Sequence, residues 1–411
     1  MAKTEFFDIA ARQGFYGLEK GGLFGKKDNV RKYWEDISIK ITIRNLIRDV
    51  LQRKGKLRIA DLGCGSGEGF ELITHLPFET PQERNRDFVL LEEEIELYLG
   101  VDISAGMIEA GRKNYAGKKN VEFLQADLSS EHSFLERGGF DIIFSTYSSP
   151  SHLTKNELVN MLRKIAETHA AETVVVLDLF AKYSAEWPCY WSNTLPEMNE
   201  YNMSWLYLPE RKKPVKDEIY MVKYWSGEEI RSLTRKLAEE LNRKITVTIR
   251  DRSLLVGRHI DSGFYNNAPL PLRYQVNRLF DRDFRGDFNQ LLADISFLSS
   301  YKSTAPGIYE RISSYTEDWN TLILYTKALL SRNDSEVRRY IESSREFLSE
   351  EMKMLAWLVR NSGRFPVVDF LASIYSPQLA AVLRNLELGL PEGAGCGHGM
   401  MCSIIFHDSA N

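Results

Sequence analysis

The chain has 411 residues, 43% of them hydrophobic and 27% charged, with a formal net charge of −4. That is enough apolar material for a large core divided over more than one unit, because single cores stop growing near 250 to 300 residues. A charge balance this close to neutral, with a pI near 6.1, gives no electrostatic footprint for nucleic acid and suits a small neutral or cationic ligand better.

Residues 1–30 read as an arm or lid, with Phe15-Tyr16-Gly17 and Gly21-Gly22-Leu23-Phe24-Gly25 too rich in glycine for a stable helix. No signal-peptide stretch or membrane-spanning run is seen, and four cysteines are too few for a disulfide framework, so a cytoplasmic location is expected. From Arg31 to Gln52 the apolar positions Trp34, Ile37, Ile41, Leu46 and Val50 recur at helical spacing. Ile59-Ala60-Asp61-Leu62-Gly63-Cys64-Gly65-Ser66-Gly67 is a strand that closes on an acid and then three alternate glycines, a turn whose backbone can approach a ligand closely. After an excursion between Pro77 and Glu96, Leu97–Asp102 is a second strand ending in an acid, with Ser104 capping the helix that follows. Val121–Leu128 repeats the pattern with Asp127 at its tip, Gly139–Tyr147 is a fourth strand and Thr173–Phe180 a fifth.

These ordered motifs resemble the class I S-adenosylmethionine-dependent methyltransferases of the small-molecule, type 11 group. The resemblance covers residues 31–261 and implies an α/β fold, a Rossmann-like doubly wound sheet of seven strands. The third glycine comes one residue earlier than in Gly-x-Gly-x-x-Gly, which argues against a pyrophosphate ligand. The resemblance implies that Asp61, Gly63 and Gly65, with Cys64 and Gly67 beside them, hold the methionine part of S-adenosylmethionine. It puts Asp102 at the ribose, Asp127 and Leu128 at the adenine, and Ser145 beside the methyl group, with Ile103 and Met107 as further cofactor contacts. The product would be S-adenosylhomocysteine.

Tyr183–Tyr224 is dense in aromatics, including Trp187, Trp191, Trp205 and Tyr207, and forms either substrate-pocket walls or a hydrophobic sub-core. A capped helix then runs to Leu241, and Ile245–Asp251 is a sixth strand. Residues 262–393 read as a mostly α-helical domain, and residues 394–411 as a glycine-rich turn and a final strand. In the related sheets the last strand runs antiparallel between the fifth and sixth. The helical part is then either an insertion ahead of that strand or an appended domain.

Methyl transfer needs few catalytic groups, since the cofactor carries the reactive carbon. His152, in the loop after the fourth strand, is the candidate general base for a hydroxyl, amine or acidic carbon, against the alternative of capping the next helix. Tyr16, Tyr33, Tyr147, Trp187, Trp191 and Arg258 are candidate substrate contacts, Arg258 equally a structural ion pair. Cys396, His398, Cys402 and His407 lack the paired spacing of a zinc site, and no metal is expected. The expected partner is a small-molecule methyl acceptor. The alternatives are a protein or RNA substrate docked on the helical part, with the acidic charge against RNA, or a protein that binds the cofactor without turnover.

Overall fold

The computed structural model describes residues 28–79, 86–137, 139–169, 172–192, 194–203 and 219–407. Nine strands are seen among these: β1 (Leu57–Leu62), β2 (Ile95–Asp102), β3 (Val121–Gln125), β4 (Ile142–Ser145), β5 (Val174–Phe180), β6 (Asn199–Asn202), β7 (Ile219–Val222), β8 (Ile245–Arg252) and β9 (Gly399–Phe406). Seven of them make one sheet in the order β3-β2-β1-β4-β5-β9-β8, and β6 and β7 pair separately. Strands β1 to β5 are parallel, while β9 runs antiparallel to both β5 and β8. The near-continuous apolar runs of β1, β4 and β5 follow from this position, since a parallel strand in the middle of such a sheet is covered on both faces.

One face carries α1 (Asp36–Lys54), α2 (Glu68–Thr74) and α3 (Ala105–Asn114), through Ile39, Ile43, Ile47, Phe70 and Ile108. The other carries α4 (Lys155–Thr168) and α5 (Gly227–Leu241), through Leu158, Leu162, Ile230, Leu233 and Leu237. The helix starts are locally encoded. Ser104 accepts from the Met107 N–H, and Thr154 with Glu157 and Ser226 with Glu229 form reciprocal capping boxes.

Residues 253–398 form one long excursion between β8 and its sheet neighbour β9. It contains α6 (Leu272–Arg278), α7 (Pro306–Leu330), α8 (Asp334–Ser343), α9 (Glu346–Arg360) and α10 (Ser376–Asn385). Their shared core includes Trp319, Leu322, Met352 and Leu383. It also takes in Val30 and Trp34 from the N-terminal side and Ala185 and Trp191 from the loop after β5. The excursion is therefore packed onto the edge of the sheet where the strands β1 to β5 end. Among the described residues no helix is long and apolar enough to cross a membrane.

Candidate active site

The tips of β1, β2, β3 and β4 lie side by side at one edge of the sheet, and the turn after β1 is the centre of the arrangement. Gly65 takes a left-handed φ of 54°, and a Cβ built on it would meet nothing within 4 Å. Its N–H donates to Asp102 Oδ2 at 2.9 Å, while Oδ1 of the same carboxylate accepts from the Ser104 N–H at 2.9 Å. These bonds aim the Asp102 carboxylate, and Ile103 beside it is 38% exposed. Asp127 is held by the N–H and hydroxyl of Ser129, at 2.9 and 2.6 Å, and Leu128 is half-buried next to it. An open glycine backbone, a fixed carboxylate and an exposed apolar side chain in a row fit a nucleoside with its attached amino acid.

Other expected site residues turn inward. Gly63 and Gly67 serve packing, since a Cβ would come within 2.5 Å of Ser149 Cβ at the first and 2.6 Å of the Tyr115 ring at the second. Cys64 and Met107 are buried in the core, Cys64 with its Sγ at 3.4 Å from the Gly65 carbonyl. Ser145 is fully buried and its hydroxyl donates to the Leu62 carbonyl. Asp61 is 2% exposed, lies beneath α2 and accepts a hydrogen bond from Tyr98. Asp61 is thus a buried acid behind the loop, where direct contact with a ligand was expected.

That burial, the largest influence on the group, pushes the Asp61 carboxyl up to about 7; the Tyr98 hydroxyl partly offsets it and Asp102 adds to it. Because the folded value exceeds the unfolded value of about 3.9, the proton stabilises the fold below pH 4, and that contribution is lost as the pH rises through 7. In thermal melts without cofactor, Asp61→Asn is expected to lose less Tm than wild type between pH 5 and 8. Parallel slopes would refute the buried protonated acid.

Beyond the tip of β4, Tyr147 and Ser148 both adopt left-handed backbone, at φ 57° and 64°, which is costly for residues with a Cβ and tends to persist only where neighbours impose it. The Tyr147 hydroxyl donates to Asp36, and the guanidinium of Arg31 lies over its ring. Arg31 also reaches Asp36 at 3.2 Å, Glu35 at 3.5 Å and Glu68 at 3.6 Å. The segment before α1 is therefore seated against the loop that opens α2.

Arg258 pairs with Glu35, Nη2 to Oε2 at 2.9 Å, and Arg273 reaches the other oxygen at 2.9 Å. The carboxylate is fully buried; burial alone would raise it, but the charges of Arg258, Arg273, Arg252 and Arg31 hold it well below the usual carboxylate range. Arg258 is therefore committed to a structural ion pair rather than presented to a substrate. Tyr33 is 48% exposed and stacks on Phe280 at 4.7 Å, outside the site, and Tyr16, Trp205 and Tyr207 lie outside the described residues. Trp187 and Trp191 are both buried, with ring N–H groups bonded to the carbonyls of Ala181 and Ser184, and they belong to different cores. Trp191 packs with the helical excursion, and Trp187 with Phe180, Tyr201 and Tyr224.

His152 bonds to the main chain of Met221, and its ring centre is 4.7 Å from that of Tyr220. Burial lowers it to about 4, and with its ring engaged by the main chain it braces the turn after β4 against β7. A different histidine occupies the edge. His398, just before β9, donates from Nδ1 to Glu186 Oε1 at 2.7 Å, both residues 1% exposed. Glu186 accepts further bonds from the Ser184 hydroxyl at 3.1 Å and the His259 N–H. The carboxylate is held below its usual range, burial being outweighed by His398 and His259, while burial lowers the imidazole. Since a carboxylate only accepts, the imidazole carries a proton at Nδ1, facing Glu186. Cys396, Cys402 and His407 are elsewhere: both thiols are buried in separate cores, and His407 Nε2 lies 2.8 Å from the Thr246 hydroxyl. The sequence signal for the pair was faint, a glutamate inside an aromatic segment and a histidine inside a glycine turn.

Residues 87–171 match the family model described as a methyltransferase domain, a stretch that contains β2, β3, β4 and α4 and lies beyond the glycine turn. No curated protein sequence matches the chain. Among solved structures it is similar to an S-adenosylmethionine-dependent methyltransferase from Clostridium acetobutylicum, with 12% identity and a TM-score of 0.34 over 51% of this chain and 83% of that one. It is also similar to DesVI of Streptomyces venezuelae, with 14% identity and a TM-score of 0.33 over 52% of this chain and 86% of that one. The YcgJ protein of Bacillus subtilis gives 16% identity and a TM-score of 0.31 over 50% of this chain and 70% of that one.

Proposed function

We propose that this S-adenosylmethionine-dependent methyltransferase acts on a small-molecule acceptor that enters the edge of the sheet. Burial at that edge supports it. Glu186, His259 and His398, polar groups beyond the tips of β5 and β9, are 1%, 2% and 1% exposed beneath the β6–β7 pair and the start of the excursion. A small molecule can be enclosed there, whereas a docked macromolecule meets the surface above.

S-adenosylmethionine supplies an electrophilic methyl group on a sulfonium, so the protein's work is to bind, orient and exclude water. The residues that fit it are the main chain at Gly65, the Asp102 carboxylate for the ribose hydroxyls, and Ile103, Asp127 and Leu128 for the base. Ser145 acts one layer behind, its hydroxyl pinning the end of β1 to β4. Tyr147, held by Asp36 and Arg31, walls the side nearest the reacting carbon.

Calorimetric titration with S-adenosylmethionine tests this. Asp102→Ala is expected to weaken binding about tenfold or more, the worth of charge-assisted hydrogen bonds of roughly 1.5–3 kcal/mol. Gly65→Ala should also lose affinity, while Gly67→Ala should chiefly lower Tm, because its Cβ meets Tyr115 and Phe123. Unchanged binding in Asp102→Ala would overturn the cofactor assignment. Mass spectrometry of molecules retained through purification would give the first lead to the acceptor.

A further inference from the structure

Resting on that reading, we infer that His398 is the proton acceptor of the reaction, held by Glu186 as its positioning residue, and that the group methylated is a hydroxyl carried on an apolar, ring-sized body.

The geometry has three parts. Glu186 fixes the imidazole through Nδ1 at 2.7 Å and is itself fixed by the Ser184 hydroxyl and the His259 N–H, so the ring presents Nε2 in a set direction. Around the ring stand Phe180, Trp187 and Tyr201, with ring centres 5.5, 5.4 and 6.4 Å from it. Lastly, the Tyr201 hydroxyl is fully buried yet has no hydrogen-bond partner among the described residues. Leaving such a group unmade costs free energy, so a buried orphan donor in the same aromatic cluster as a fixed base points to a polar ligand atom between aromatic walls.

The step balances without another reactant. The acceptor oxygen gives a lone pair to the methyl carbon as the carbon–sulfur bond breaks toward sulfur, S-adenosylhomocysteine leaves, and the oxygen's proton passes to His398 Nε2 and on to water. Glu186 stabilises the imidazolium so formed. An acceptor with no proton to lose would have no use for the pair. The charged and titratable groups acting on His398 are Glu186 from the loop after β5, Arg252 at the end of β8, and Arg258 beyond it. His259 and Tyr201 also face it.

The test uses the full-length protein, S-adenosylmethionine with a tritiated methyl group, and two probe sets, substituted phenols and N,N-dimethylanilines. Wild type is expected to methylate phenols, and His398→Gln to lose about 100-fold in kcat with cofactor affinity unchanged within twofold. Glu186→Gln keeps an acceptor for Nδ1 but not the charge. It should lower kcat about tenfold and move the acidic limb of the kcat–pH profile to lower pH, a displacement that a purely structural pair would not produce. Retained kcat in His398→Gln, an unmoved limb in Glu186→Gln, or cofactor binding without methylation of any phenol would each overturn the inference while leaving the methyltransferase reading intact. Failure of wild type to bind S-adenosylmethionine would overturn both.

Discussion

A chain truncated after Asp261 is expected to yield no folded, cofactor-binding protein. Strand β9 is paired along its length on both sides, from Gly399 to Ile405 against β5 and from Gly399 to Phe406 against β8. It buries Met400, Met401, Cys402, Ile404 and Phe406, each no more than 2% exposed. At roughly 1.5–3 kcal/mol per buried side chain, their loss costs on the order of 10 kcal/mol, as much as a typical domain's whole stability of about 5–15 kcal/mol. Truncation also strips the cover from Val30, Trp34, Trp191 and Leu254, which belong to the core of the excursion, and leaves two facing strand edges unpaired. Circular dichroism, solubility and titration with S-adenosylmethionine check the outcome. A soluble truncated chain that binds the cofactor would refute this expectation and show that the sheet holds without β9.

Glu35→Gln is expected to lower stability by about 3–5 kcal/mol, because it removes the counter-charge from two buried guanidinium groups, Arg258 and Arg273. The arginines cannot shed their charge, so the cost is that of leaving them short of a partner rather than that of losing a favourable pair. In thermal melts this corresponds to a drop of roughly 3–6 °C at pH 7. The sign with pH follows from the depressed carboxyl. Its contribution is present above the unfolded value of about 4.3 and fades as the pH falls below that toward the folded value, so the gap between variant and wild type should narrow in acid. An equal Tm at pH 7 would refute the assignment. Asp28 holds Arg273 from the same N-terminal stretch, at 2.6 Å, so the damage should extend to how that stretch is seated beside Tyr147.

Much of this architecture is written locally in the sequence. Strands ending in Asp61, Asp102 and Asp127, the glycines between Leu62 and Glu68, and the capping residues Ser104, Thr154 and Ser226 all act within a few residues of themselves, so a linear reading finds them. The Gly65 N–H and the Asp102 carboxylate meet at 2.9 Å. What the linear reading misplaces depends on partners far along the chain. Asp61 looks like a ligand residue until Tyr98 and α2 cover it. Trp187 and Trp191 are one turn apart in sequence yet feed two cores. Tyr33 faces Phe280 because the excursion, not the glycine turn, is its neighbour. Glu186 and His398 are separated by 212 positions and acquire meaning only when β9 is laid beside β5. His152 had the more suggestive address, after β4, but the main chain of Met221 takes up its ring.

The placement of β9 also governs the order in which the molecule can assemble. β8 and β9 are neighbours in space but are joined through residues 253–398, so pairing them closes a loop of about 150 residues. By the slow logarithmic growth of closure entropy, that costs about 3 kcal/mol more than a tight hairpin would. The helices of the excursion share a core of their own, so their prior collapse shortens the effective loop, and the sheet waits on them. Until then β5 and β8 offer open edges, which makes the interval before β9 docks the time when the chain is most exposed to pairing with another copy.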